Sequence, residues 1–373
     1  MQSQVTSGTI VVHDTTPARP APRQSHGVVA WLKGRLFGSW AASIGTVAVL
    51  CLLLLVVPSL WRWAVLDAVW GADFDACQVA TGACWGVVTE KFRIILFGRY
   101  PFEAQWRPFL ATCLMLALLV ASGKRRFWTT ALWALWPVVL VLAYVLMAGG
   151  MLGLPAVETD RWGGLPLTIL LASLSMAIAF PLGLLLALGR TSDLPVIRAL
   201  CRVYTEIIRG VPLISVLFMA SFMFPLLLPQ GFSIDVLLRV LIGISLFAAA
   251  YTAEVLRGGL QAMPKGQWEA AYTLGLSYWQ IQRKVVLPQA LAMVVPGIVN
   301  NFISTFKDTS LVTIVGLYEL TGALSLALNS DANWRPFKVE AYLFVAAIYF
   351  VFCFAMSLYS RSIERQLQRS ATR

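Results

Sequence analysis

The chain is poor in charge and nearly devoid of histidine. Of its 373 residues only 13% are charged, while 58% are hydrophobic. Soluble domains carry about 25% charged residues and less than half apolar, so water alone is excluded as the solvent of this much apolar surface. The two histidines, His13 and His26, both lie in the first 26 residues. The body of the chain is thereby closed to histidine general-base chemistry and to histidine-liganded metal sites, and no metal site is expected. Paired carboxylates are also missing, which leaves no catalytic constellation. There is no GxxxxGK[ST] phosphate loop, so the chain is not expected to hydrolyse ATP itself. No internal repeat is visible, which argues against the inverted-repeat plan of many secondary transporters.

What the chain has instead is long apolar runs. Residues 44–60 and 164–188 carry no charge, and 337–359 is similar apart from Lys338 and Glu340 at its start. About 20 such residues cross a bilayer core of roughly 30 Å. The expected fold is an all-α integral membrane protein with about eight transmembrane helices. They are expected at 39–61, 108–123, 127–149, 165–189, 205–228, 236–256, 289–306 and 339–360. Gly316, Gly322 and Asn329 interrupt the apolar stretch 311–328, which reads as a partial helix.

The formal charge of +11 sits mostly in short loops beside the apolar runs, which fits membrane topology better than nucleic-acid binding. Lys124, Arg125 and Arg126, then Arg190 to Arg209, Arg257 to Lys284, and Arg361 to Arg373 fall on one side if the N-terminus is cytoplasmic. Both termini are then cytoplasmic. Residues 1–38 read as a disordered cytoplasmic tail rich in Pro, Ser and Thr, without a signal-peptide cleavage site. Residues 39–160 hold three helices and a polar, outward loop at about 62–107, and 161–373 hold five helices and one unusual loop. Cys51, Cys113, Cys201 and Cys353 read as packing residues. Cys77 and Cys84 share the polar loop and are a possible disulfide if it is periplasmic, or two thiols if it is not.

The unusual loop, at about 257–288, is too long for a plain connector and too polar for lipid. Its periodicity gives two short amphipathic helices. Gly275 is the expected C-cap of the first, and Ser277 the N-cap of a second that ends before Pro288. On physics alone such a hairpin is read first as a surface element lying on the bilayer and second as a docking knob.

The string Glu269-Ala270-Ala271, then Gly275, then Leu287-Pro288 resembles the EAA loop of ABC importer membrane subunits. The stretches AAYTAEVLRGGLQAMPKGQWEAAYTLG, LPQA, FKDTSLVTIVG, LTILLASLSMAIAFPLGLLLALGR and YTEIIRGVPLISVLF resemble its polar amino-acid branch. The resemblance covers roughly 161–363. The longer N-terminal part is similar to the M/C-type subunits of general L-amino-acid importers, the Aap/Bzt type. This resemblance implies a five-helix type I importer core in a bacterial inner membrane. It implies that Glu269, Ala270, Ala271, Gly275, Leu287 and Pro288 couple to an ATPase. The implied partners are two ATPase subunits that use ATP and Mg, a second homologous membrane subunit forming a heterodimer, and a periplasmic amino-acid-binding protein. No cofactor on this chain and no nucleic acid are implied.

For the substrate path, polar groups within the core helices are the candidates, because they are costly in lipid. These are Glu254, Asn300, Asn301, Ser304, Thr305, Lys307, Asp308 and Thr309, with Lys307 and Asp308 offering both signs to an amino acid. Glu206 and Arg209 are read as shaping the cytoplasmic end of a helix. The alternative function is a stand-alone ion-coupled secondary amino-acid transporter.

Overall fold

The computed structural model describes residues 27–371 except 128, 152, 230 and 232. His13, His26 and the expected disorder of residues 1–26 lie outside the described residues. Two units are distinguished, residues 1–68 and 69–373.

In the first unit α1 (Val28–Leu36) precedes α2 (Trp40–Trp61). Residues 28–36 are therefore helical, a correction to the expected tail of 1–38. The Thr46 hydroxyl ties the two helices by donating to Leu36 O at 2.8 Å. Ser39 caps α2 by accepting from the Ala42 N–H. No residue of α2 is buried, as suits a helix that is apolar on every side.

The second unit opens with α3 (Phe74–Val79) and α4 (Gly86–Phe97), followed by α5 (Trp106–Ser122) and α6 (Thr130–Ala148). Cys77 and Cys84 are joined in a disulfide. The long helices α7 (Gly164–Thr191) and α10 (Val236–Gln261) form the centre. They approach closely because Gly183 faces Thr252, where a Cβ would come within 2.9 Å. Between them lie α8 (Pro195–Gly210) and α9 (Leu213–Phe218), the latter continuing through a π turn and a 3-10 turn to Leu227.

The loop follows as α11 (Lys265–Thr273) and α12 (Tyr278–Ile281), then α13 (Leu287–Asp308). A 3-10 segment, Thr309–Val315, leads to α14 (Leu320–Asn329), and α15 (Lys338–Ala371) closes the chain.

Among the described residues seven helical stretches can cross a membrane by length and composition, or eight if one bent pair counts as a span. The bent pair corrects the expected single helix at 205–228. Pro195–Gly210 and Leu213–Leu227 meet at 103°, because Gly210 and Pro212 flank a residue in extended conformation. The second loop helix is corrected too. It does not end before Pro288 but runs on through a π turn at Gln282–Val286, giving one helical stretch from Tyr278 to Val315. The wider turn offsets the amide that proline lacks. The stretch 311–328, expected as one partial helix, is divided at Gly316 between the end of the 3-10 segment and the short helix Leu320–Asn329, which runs through Gly322.

Candidate functional site

The loop helices form a rigid hairpin. α11 ends in a Schellman turn, with the Gly275 N–H donating to Tyr272 O at 2.9 Å and the Leu276 N–H to Ala271 O at 3.3 Å. Gly275 takes φ +71°, a conformation costing other residues about 1 kcal/mol. No atom lies within 4 Å of where its Cβ would stand. The next helix starts with a capping box, in which the Ser277 N–H donates to Gln280 Oε1 and the Ser277 hydroxyl accepts from the Gln280 N–H. The Gln289 side chain donates to Gln267 Oε1 at 3.2 Å and ties α13 back to α11.

The expected coupling residues separate into two sets. Glu269, Ala270, Gly275 and Pro288 are exposed, and Leu287 is half-buried. Ala271 is buried among Ala187, Leu256, Leu260, Met263, Ile281 and Val286. Its small side chain lets the hairpin pack on its own base, so it is not offered to a groove as expected. The sequence reading missed the outer surface of the knob. Leu274 is 79% and Trp279 70% exposed, with Tyr272 beside them. Their signal was available, since large apolar side chains on a polar, capped hairpin have no internal partner to bury against.

A second cluster lies at the same end of α7 and α10. The Glu254 carboxylate pairs with Arg190 at 3.0 Å, with Arg209 at 3.2 Å and with Arg257. Arg190 also donates to the Thr205 hydroxyl, and Glu206 lies 3.5 Å from Arg202. Glu254 therefore joins α7, α8 and α10. Its expected place on the substrate path thus coincides with a carboxylate held by three guanidiniums. Sequence spacing could not show the cluster, since only Arg257 is a helical neighbour of Glu254.

On α13 the candidates divide by face. Thr305 and Thr309 are buried, and their hydroxyls donate back to Asn301 O and Phe306 O. They face the packing of the helix, contrary to expectation. Asn300 and Lys307 are exposed, and Asn301, Ser304 and Asp308 are half-buried. The Asn301 amide nitrogen is buried without a hydrogen-bond partner. Among the described residues no ion pair joins Lys307 to Asp308. Asn300, Ser304 and Lys307 follow at helical spacing on one face.

At the opposite end the disulfide segment is anchored to α15, with the Cys84 N–H donating to Glu340 Oε1. Lys91 pairs with Asp331 at 2.9 Å. That pairing and the Asn333 N–H hold the Asp331 carboxyl below its usual range.

Comparison with known proteins places this geometry. The family described as "Binding-protein-dependent transport system inner membrane component" matches residues 179–369. The inner membrane amino-acid ABC transporter permease protein YhdY of Escherichia coli is 44% identical, over 95% of this chain and 97% of its own length. The glutamate/glutamine/aspartate/asparagine transport system permease protein BztC of Rhodobacter capsulatus is 37% identical, over 94% and 96%. The shorter L-cystine transport system permease protein TcyB of Bacillus subtilis is 36% identical over 56% of this chain and 86% of its own. Matched by that family over half its length and similar to YhdY and BztC along nearly all of it, the chain belongs to the binding-protein-dependent transport system inner membrane components, the permease subunits of ABC importers.

Proposed function

We propose that this permease subunit translocates L-amino acids, of a broad or polar range, in an ATP-driven importer whose ATPase seats on the 265–288 hairpin. The observation that carries the reading is the exposed knob of Tyr272, Leu274 and Trp279 on two capped helices. Apolar side chains on a rigid, polar hairpin suit a protein groove, where such anchors supply most of the binding energy. Glu269, Ala270 and Gly275 complete the contact. The amino-acid substrate is inferred from the names of YhdY and BztC. Membership of this family favours the importer over the stand-alone ion-coupled transporter.

As a permease subunit the chain is not itself catalytic, and it lacks a phosphate loop. ATP and Mg act on the partner ATPase subunits. The Lys and Arg content of the hairpin and of the Glu254 cluster supports a cytoplasmic position for that end, and with it cytoplasmic termini in a bacterial inner membrane. The Cys77–Cys84 disulfide suits the opposite, oxidising side. There a periplasmic binding protein delivers substrate, with the disulfide-clamped segment as its docking platform. A second, homologous but different membrane subunit completes the pathway. Asn300, Asn301, Ser304, Lys307 and Asp308 line this chain's share of it.

The test is purification of the assembled importer carrying Leu274→Asp or Trp279→Asp. Loss of the ATPase from an otherwise monodisperse membrane complex is expected. Retention of the ATPase at native stoichiometry in both variants removes the hairpin as its seat.

A further inference from the structure

The helix α8 is attached at an angle that no simple crossing explains. α7 and α10 run in the same direction. Arg190 and Glu254 meet at 3.0 Å near their C-terminal ends, and Thr159 donates to Asp235 just before both helices begin. The chain from 192 to 235 therefore crosses the membrane once, in the reverse sense. α9 and its continuation to Leu227 make that crossing along α10. Gly243 faces Leu217 and Ala220, and Arg239 donates to Ser221 O, so the two segments are antiparallel. Fifteen helical residues rise about 22 Å, most of the roughly 30 Å core. α8 stands at 103° to this crossing and at the level of the Arg190–Glu254 pair. It thus lies nearly in the membrane plane, at its boundary.

The faces of α8 are segregated accordingly. Its inner face holds Thr205, which is fully buried and bonded to Arg190, and Tyr204, whose hydroxyl donates to Leu246 O. Arg198, Arg202, Glu206 and Arg209 share a second face, and all are exposed. Val196, Leu200, Val203 and Ile207 recur at helical spacing on the face opposite the charges, and each is between 53% and 68% exposed. Four large side chains in one apolar stripe, with charges behind them, are the signature of a helix half-sunk in a bilayer surface.

We propose that the Val196–Leu200–Val203–Ile207 face of α8 lies on lipid, in the headgroup–acyl boundary. Under the orientation proposed above, this is the cytoplasmic leaflet. α8 then links that leaflet to α7 and α10 through Arg190, Thr205 and Glu254. A protein occupant, the second membrane subunit, is the competing outcome.

Spin labels distinguish the two. Single cysteines are placed at 196, 200, 203 and 207, and at 198, 202 and 206, in the full chain with Cys51, Cys113, Cys201 and Cys353 replaced by alanine. The complete importer is reconstituted in lipid nanodiscs. Collision with oxygen is compared with collision with a water-soluble nickel chelate. The expected result is an oxygen-to-nickel ratio several-fold higher at 196, 200, 203 and 207 than at 198, 202 and 206. Nickel access at the apolar positions overturns the proposal in favour of a watery face. Immobile labels there that neither reagent reaches overturn it in favour of the second subunit. Because a misfolded chain gives no alternation with helical period, that outcome also counts against the proposed face.

Discussion

Two charged side chains at the outer end are buried with no opposite charge paired to them among the described residues, and the backbone supports both. Glu319 is fully buried and accepts from the Thr321 and Gly322 N–H groups at 2.8 and 3.0 Å, so it caps α14. The hydroxyls of Tyr349, Thr313 and Thr168 complete its shell. Burial still pushes its carboxyl above the usual range, against those hydrogen bonds. A raised acid stabilises most fully below its unfolded pKa of about 4.3 and less as pH rises through the folded value. Glu319→Gln, which keeps an acceptor and drops the charge, should therefore cost under about 1 kcal/mol at pH 7. Glu319→Ala should cost about 2–3 kcal/mol, because the Thr321 and Gly322 N–H groups and the Tyr349 and Thr313 hydroxyls are left unmet, while Thr168 keeps Gly164 O. Thermal unfolding in detergent separates the two, and equal losses would mean that the charge itself is needed. Arg107, 1% exposed, donates to Leu146 O, Met147 O and Pro155 O and closes the C-terminal end of α6. Arg107→Met should cost about 3 kcal/mol by the same measurement. Neither shell was legible in the sequence. Thr168 reaches Glu319 across 151 positions and Pro155 reaches Arg107 across 48, and no local pattern encodes such meetings.

Elements that depend on short-range chemistry were legible. The Gly275 turn and the Ser277 cap are fixed within a few residues, and both stand where the sequence puts them. The same reading stopped the second helix at Pro288, because a π turn costs no residue change that a sequence would reveal. It also passed straight through Gly210–Pro212, where apolar content continues although the axis turns. At the outer end, α4 is held to the residues after α14 by Lys91 and Asp331. The depressed Asp331 carboxyl contributes above its unfolded pKa, about 3.9, and that contribution is lost as pH falls through the lower folded value. Hydrogen exchange in α4, divided by the intrinsic amide rate at each pH, should accordingly be steady from pH 8 to 5 and speed up below about pH 4. Asp331→Asn should be faster at neutral pH and show little further change on acidification. An unchanged rate in that variant would show that the pair does not hold α4.

Over the whole molecule, the proposed coupling requires movement of the hairpin to reach the crossing helices. The base of the hairpin packs against Ala187, Leu256 and Leu260, which belong to α7 and α10. One turn away, Glu254 gathers Arg190, Arg209 and Arg257. A pull on the knob therefore reaches α7, α8 and α10 together. Glu254→Gln leaves three guanidiniums without their carboxylate. It should lower stability by about 1–3 kcal/mol and lower transport more than it lowers ATPase binding, read by uptake and by co-purification side by side. The spans, the basic end and the hairpin could be read from composition and spacing. The ion cluster could not, because its members come from three helices.

The most direct measurement is ATP-dependent amino-acid uptake into vesicles holding the complete importer, with the native chain or with Gly275→Asp. The open space around Gly275 allows the fold to survive the substitution, while a charged side chain at the turn meets whatever docks there. The account predicts that uptake and ATPase co-purification fall together. Uptake at the native rate from the variant with the ATPase left out would contradict it.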